Sequence, residues 1–306
     1  MSSLISASRR TDIPHYFGAW FAARRREGFA EFRNAFGGRG IVSLRDGDVL
    51  GFLFWTKDAR PFADQLRALR DDGVPYAFQY TITGCGRDLE PHIPSSVRAI
   101  DDFLAVRDGL PDSACIQWRY DPIVLSRARD VDFHLERFAT IARALHGATR
   151  VVDISIIEPY RKAILRIADR TVRYRRVDPA RHRWVSRNHP DLVQIGSEAG
   201  SLLEGLAAIA SERGMELRSC SNPEWPLAPA QCCGLELFAP YGDALERAVA
   251  ALPTAPSRGG CHCLRAVDIG MDNTCLGGCK YCYVVSSHEL AVKNFRNHLP
   301  WRPMLR

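Results

Sequence analysis

The chain has 306 residues, 46% hydrophobic and 25% charged, with a net charge of +6. This is an ordinary globular composition, and no apolar run approaches the ~20 residues that a membrane-spanning helix needs. The start, MSSLISASRRTDIP, lacks a basic flank ahead of a long apolar stretch, so it does not read as a secretory signal and a cytoplasmic location is expected. The length fits one large α/β domain, and α/β barrels commonly reach this size as one unit. Nearly all the cations are Arg, and the only lysines are Lys57, Lys162, Lys280 and Lys293. A mild positive charge is compatible with anionic substrates or nucleic acid but discriminates weakly.

Short apolar runs alternate with stretches of helical spacing. Residues 4–7, 49–55, 76–82, 114–118, 150–156, 216–220 and 266–269 read as strands: they are short, bounded by Gly, Pro or Asp, and several are rich in β-branched or aromatic residues. Residues 16–28, 61–72, 95–107, 131–145, 159–169 and 197–213 show helical spacing, with Ser95 as an N-cap. Such alternation predicts an α/β fold with a parallel sheet, a TIM-like full or partial (β/α) barrel spanning 1–306 as one domain. An Arg-rich insertion at 171–190 breaks the rhythm and reads as a long surface excursion, either a lid or a solvated basic segment. Residues 251–260, with Pro, Ser and Gly, read as a linker opening a C-terminal segment, 251–306, that completes the barrel.

The strand ends are rich in polar residues: SASRRTD, FWTKD, QYTITG, QWRYDP and ISIIEP. In a parallel barrel these ends share the face that carries active sites. Arg9, Arg10, Asp12, Lys57, Arg119 and Asp121 are therefore candidate catalytic residues, and Trp55, Gln79, Thr81 and Glu158 accompany them around the same opening. Each could equally make a salt bridge or cap a helix.

Ten cysteines in a chain without an export signal point to metal or redox chemistry rather than disulfides. The segment CLGGCKYC has C-x3-C-x2-C spacing, and Cys275, Cys279 and Cys282 on one turn can hold three irons of one cubane. Gly277 and Gly278 let the backbone fold around it. No fourth cysteine lies nearby, which leaves one iron open. A zinc site would pair C-x2–4-C with a second such pair or with histidines.

This pattern resembles the radical S-adenosylmethionine (SAM) superfamily, whose motif is C-x3-C-x-aromatic-C; the aromatic here is Tyr281. The resemblance implies a [4Fe–4S] cluster on Cys275, Cys279 and Cys282, with SAM chelated at the open iron. It also implies a 5′-deoxyadenosyl radical that attacks a substrate, and a flavodoxin or ferredoxin-type electron donor. In most of that superfamily the motif follows the first barrel strand, whereas here it lies in the last tenth of the chain. The flanking pattern is a strand at 265–270 and a helix within 283–298, which predicts a permuted arrangement in which the late strand lies beside residues 4–7. The Arg9, Arg10 and Asp12 loop is then expected to face the cluster. More widely, ISASRRTDIP, FWTKD, QYTITGCGRDLEP, WRYDP and CHCLRAVDIGMDNTCLGGCKYCY resemble the bacterial family called domain of unknown function 1848, which implies fold and cofactor but no substrate.

Of the other cysteines, Cys220, Cys232 or its neighbour Cys233, Cys261 and Cys263 could bind a second [4Fe–4S] cluster, or zinc, or remain spare thiols. Cys85 and Cys115 stand alone and read as core residues. His15, His92, His134, His146 and His262 show no ligand spacing. The expected function is a radical SAM enzyme acting on a small molecule. The alternatives are an iron–sulfur electron carrier or redox sensor without SAM chemistry, and a radical enzyme acting on nucleic acid.

Overall fold

The computed structural model describes residues 2–34, 37–256 and 259–305. Its first half runs β1 (Ser3–Ala7), α1 (Ile13–Tyr16), α2 (Gly18–Glu27), β2 (Phe29–Arg33), β3 (Arg39–Ser43), β4 (Val49–Thr56), α3 (Ala63–Asp71), β5 (Tyr76–Thr81), α4 (Ser96–Asp108) and β6 (Ile116–Ile123). The second half runs α5 (Val131–Ala144), β7 (Val151–Ile156), α6 (Arg161–Arg166), α7 (Arg183–Asn188), α8 (Glu198–Glu212), β8 (Glu216–Ser219), β9 (Ala228–Pro229), α9 (Asp243–Ala250), β10 (Val267–Asp268) and α10 (His288–Arg296). Ser95 caps α4, its hydroxyl accepting the Arg98 N–H. The Asp130 carboxylate caps α5 in the same way. Among the described residues no helix is long and apolar enough to cross a membrane.

Eight strands form one parallel sheet in the order β10-β1-β4-β5-β6-β7-β8-β9. From β1 to β9 the order advances in one direction, as in a TIM-like arrangement, where right-handed crossovers all lay their helices on one face. Among the described residues the sheet has β10 and β9 as edges, with no ladder between them. The stretches beyond those edges meet through one backbone bond, from Leu264 N–H to the Cys233 carbonyl at 2.9 Å.

Period-two alternation gives the sheet two unlike faces. On one, Phe52, Phe54, Tyr80 and Trp118 pack against Phe21, Phe62, Phe103 and Phe138 of the helix layer and its loops, all fully buried. The rings meet edge-on or tilted at 5.0–5.4 Å, as in Phe21–Phe52, Phe54–Phe62 and Tyr80–Phe103, an arrangement that adds to area burial. On the other face Leu4, Leu53 and Ala77 pack against Cys220, Cys232, Cys233, Cys263 and Phe238, so the segment after β8 covers that side. Polar residues share this face: Gln79 Nε2 donates to Gln117 Oε1 at 2.5 Å and to the Cys232 carbonyl at 3.0 Å.

The structure revises several sequence readings. Phe29–Arg33 and Arg39–Ser43 pair as the antiparallel β2 and β3, which helical spacing over 16–28 gave no reason to expect. The helix expected over 16–28 is interrupted at Phe17 between α1 and α2. The expected strand at 266–269 shrinks to two residues. The Arg-rich insertion is anchored rather than loose: Val172, Tyr174 and Val185 are buried, and Arg173 bridges to Leu125. Residues 253–255 pair back onto 263–265, so the expected linker is hydrogen-bonded structure, although 257 and 258 lie outside the described residues.

β10 is too short to hold itself to β1 by ladder bonds alone. The Asp268 carboxylate supplies the rest, accepting from Ser6 Oγ (3.1 Å), Ser8 Oγ (2.7 Å), Arg9 N–H (2.9 Å), Arg10 Nε (3.4 Å) and Gly270 N–H (2.9 Å). Gly270 permits the approach, since a Cβ there would lie 1.9 Å from Ser8 Oγ. Hydrogen bonds to a charged group contribute about 1.5–3 kcal/mol each, and orphaning several partly buried donors costs more than one such bond. Asp268→Ala should therefore lower unfolding stability by about 3 kcal/mol in urea titration, with Asp268→Asn intermediate. A loss below about 0.5 kcal/mol would show that the carboxylate does not hold this junction.

Candidate functional site

Parallel strands deliver their following loops to one side of the sheet. The loop after β10 carries Cys275, Cys279 and Cys282, and meets the loops after β1, β4 and β5. The sulfurs interact: Cys282 adds to the upward push on Cys275, and Cys275 and Cys282 both add to that on Cys279. A Cβ at Gly277 would stand 3.6 and 3.7 Å from the Cys275 and Cys279 sulfurs, so the glycine leaves a cradle between them. Gly278 is in the left-handed region, φ 67°, with Pro91 and His92 against it. The Cys275 sulfur accepts backbone N–H groups of Gly277 and Asp12. Burial, and then the Asp12 charge, push the Cys275 thiol up to about 12; burial raises Cys279 further, although Lys57 opposes it. These thiols ionise only if a strong positive charge joins them, as a metal centre does.

Beside them lies a buried ion pair. Lys57 Nζ is 2.8 Å from Glu90 Oε1, Thr83 Oγ1 donates to Glu90 Oε2 at 2.9 Å, and the Tyr281 hydroxyl donates to Glu90 Oε1. Lys57 stands 5.8 Å from the Tyr281 ring centroid. Burial opposes both charges, yet Lys57 holds Glu90 below the usual carboxylate range and Glu90 holds Lys57 above its own. Tyr281 is thus fixed by its hydroxyl, while Arg166 donates to the Cys282 carbonyl and Lys162 to the Val284 carbonyl at 3.1 Å.

A second cysteine group lies on the polar face of the sheet. Cys220 follows β8, Cys232 and Cys233 follow β9, and Cys261 and Cys263 precede β10. Cys220, Cys232, Cys233 and Cys263 are buried in one cluster, with Cys261 packed against it. Cys85 and Cys115 are buried elsewhere, and none of the ten cysteines forms a disulfide. Among the described residues no three or more His, Cys, Asp or Glu side chains are closed around one metal-ion position.

The sequence-derived residues divide between the two groups. Asp12 belongs to the first: its carboxylate caps α1, accepting His15 N–H at 3.0 Å, Thr56 Oγ1 at 2.8 Å and Lys57 N–H at 2.9 Å. Burial pushes it up to about 6 despite those bonds. Arg10 braces the two loops, paired with Asp268 and Asp272 and donating to the Gly270 carbonyl. Arg9 lies over Trp55 at 5.9 Å, with Cys233, Asp268, Cys263 and Tyr283 as its charge partners, and its backbone N–H donates to Asp268 at 2.9 Å. Arg119 also lies over Trp55, at 5.2 Å, with Nη1 2.9 Å from Cys232 Sγ, and it pairs with Asp121, which accepts from Ser155. Glu158 instead anchors the insertion, pairing with Arg175 at 2.8 Å.

Glu90, Thr83, Asp268 and Arg166 were not singled out in the sequence. Glu90 has no local signal beyond its place in a strand-end loop, CGRDLEP, and two of its partners, Lys57 and Tyr281, are distant in the chain.

The molecule is a singly wound parallel α/β protein with two cysteine groups, one in the loop after a C-terminal strand and one lining the sheet. The model of the family described as "domain of unknown function (DUF1848)" matches residues 4–284, and the chain belongs to that family. No curated protein matches it. Among solved structures, mannonate dehydratase from Streptococcus suis serotype 2 aligns at 13% identity over 61% of this chain, with a TM-score of 0.31. The aligned region covers 58% of that enzyme's chain, and a likeness this slight carries no functional inference.

Removing one partner of a buried ion pair strands the other charge, at about 3–5 kcal/mol, whereas removing both is far milder. Lys57→Met should thus destabilise the protein by roughly that amount, and Lys57→Met with Glu90→Leu by less than the single change. A double variant as unstable as the sum of the singles, read by denaturant midpoints, would contradict the coupling.

Proposed function

We propose that the chain is a radical SAM enzyme whose [4Fe–4S] cluster is held by Cys275, Cys279 and Cys282. The observation that carries this reading is the approach of the Cys275 and Cys279 sulfurs on either side of Gly277, with Cys282 in the same loop and backbone N–H groups turned to Cys275. The donor set fits: thiolates are the usual ligands of such clusters, and a cubane takes each thiolate on a different iron, so the sulfurs need not close around one point. With three ligands in this loop, one iron is left for SAM. When bound, the cluster would supply the electron that cleaves the SAM sulfonium bond and gives a 5′-deoxyadenosyl radical.

The chain's own residues do the rest. The Asp12 and Gly277 N–H groups stabilise negative charge on the Cys275 sulfur. Lys57, Glu90 and Tyr281 lock the loop from the side. Arg10 binds the loops to each other and is committed to that task by Asp268 and Asp272. The parallel pairing of β10 with β1 supports reading the fold as a permuted barrel, with the cluster loop following the strand next to the chain's first. The substrate is proposed to be a small molecule, on the reading that Arg10, Asp12, Lys57, Arg119 and Asp121 gather at or just beyond the strand ends on one side of the sheet.

Cys275→Ala, Cys279→Ala or Cys282→Ala should each cost about four irons per chain after anaerobic reconstitution and abolish production of 5′-deoxyadenosine. A triple variant with full iron content and SAM cleavage would overturn the reading. A wild-type chain that loads the cluster yet never cleaves SAM would favour an electron carrier instead.

A further inference from the structure

We infer that Cys220, Cys232, Cys261 and Cys263 close around a second, four-thiolate metal centre when they bind it, on the polar face of the sheet and independent of the Cys275 site.

Three separate segments bring five cysteines to one place, and four of them, Cys220, Cys232, Cys233 and Cys263, are buried. Isolated core thiols behave as small hydrophobes, as Cys85 and Cys115 do here. These five instead pack into one cluster, with Cys220, Cys232, Cys233 and Cys263 buried together and Cys261 against them. Cys232 is the one of the adjacent pair whose sulfur meets the Arg119 guanidinium, so it is assigned as the ligand. Cys233 is the fifth thiol and lies outside the set.

The charges around the group fit thiolates rather than thiols. Arg119 is 7% exposed, and its Nη1 lies 2.9 Å from Cys232 Sγ. Arg9 directs its charge at Cys233 and Cys263. The other charged groups facing the site are Asp121, paired with Arg119, Asp268, paired with Arg9, and Asp153, 3.7 Å from Cys232 Sγ. Four thiolates on Zn2+, or on a [4Fe–4S]2+ cluster, carry a net charge of −2, which the two guanidiniums offset. With four protein ligands no position is open, so the centre binds no substrate. Its place explains its use: Cys220 and Cys232 lie by the β8–β9 edge and Cys261 and Cys263 by the β10 edge, so the metal fastens two sheet edges that share no ladder.

The test uses the full chain with C275A, C279A and C282A, so that the first site cannot load. Iron, acid-labile sulfide and zinc are counted after anaerobic purification, and again after loading with zinc alone or with iron and sulfide. The expected result is a folded protein holding about one zinc without sulfide, or about four irons with sulfide, per chain; the two arms tell which soft centre the thiolates take. Adding Cys232→Ser or Cys263→Ser should remove that metal, and Cys233→Ala should retain it. Arg119→Met should weaken retention against a competing chelator 10–100-fold. A folded triple variant that takes neither metal, or metal retained in full after Cys232→Ser, would overturn the proposal; unchanged retention in Arg119→Met would overturn the role given to that arginine. Should the triple variant fail to fold, Cys232→Ser in the otherwise unaltered chain gives the same reading: the first site's four irons stay and the second site's metal is lost.

Discussion

The Asp268 carboxylate is the constraint on which the arrangement depends. It lies in a strand of only two residues and gathers hydroxyl, guanidinium and backbone donors from β1 and its loop, some 260 positions away in sequence. Secondary structure this short has no independent stability, so tertiary hydrogen bonds must hold it. Because the carboxylate fixes β10 against β1, the loop after each strand is brought to the other. Asp12 can then offer its backbone N–H to Cys275 while its carboxylate organises α1 and the loop after β4. Arg10 repeats the connection on the outside of the same junction.

The two faces of the sheet divide the work. The helix-covered face is apolar and aromatic, and burying each such side chain contributes about 1.5–3 kcal/mol, so it supplies most of the folding free energy. The opposite face accepts Gln79, Gln117, Arg119 and Asp153, all buried. Burying them is tolerable only with partners, and these come from the irregular segment after β8, through the Cys232 carbonyl and sulfur and through Glu236, which accepts from Gln117 at 2.6 Å. That segment needs no regular structure, because side chains of the sheet satisfy its polar groups.

Much of this was legible in the sequence, and the failures have physical causes. Short apolar runs marked β4, β5 and β7, which bury five of eight, five of six and all six of their residues. The resemblance of the C-terminal segment to a cluster-binding motif led to the pairing of the late strand with residues 4–7, and β10 does pair in parallel there. The β2–β3 pair escaped because its strands are half-exposed and mix charged with apolar residues, which blurs the alternation. Glu90 was missed because a buried carboxylate is recognised by its partners, and two of these, Lys57 and Tyr281, come from distant stretches of chain while only Thr83 is local. The insertion read as a surface loop because its many arginines hide the three residues, Val172, Tyr174 and Val185, that anchor it.

The central claim is that the Cys275, Cys279 and Cys282 loop presents an iron open to SAM. Electron paramagnetic resonance of the reconstituted, dithionite-reduced protein tests it most directly. A reduced [4Fe–4S] component whose g-values shift when SAM is added, and which disappears in Cys279→Ala, is the predicted result. The absence of any component that responds to SAM, or a SAM-responsive component that persists unchanged in Cys279→Ala, would contradict it.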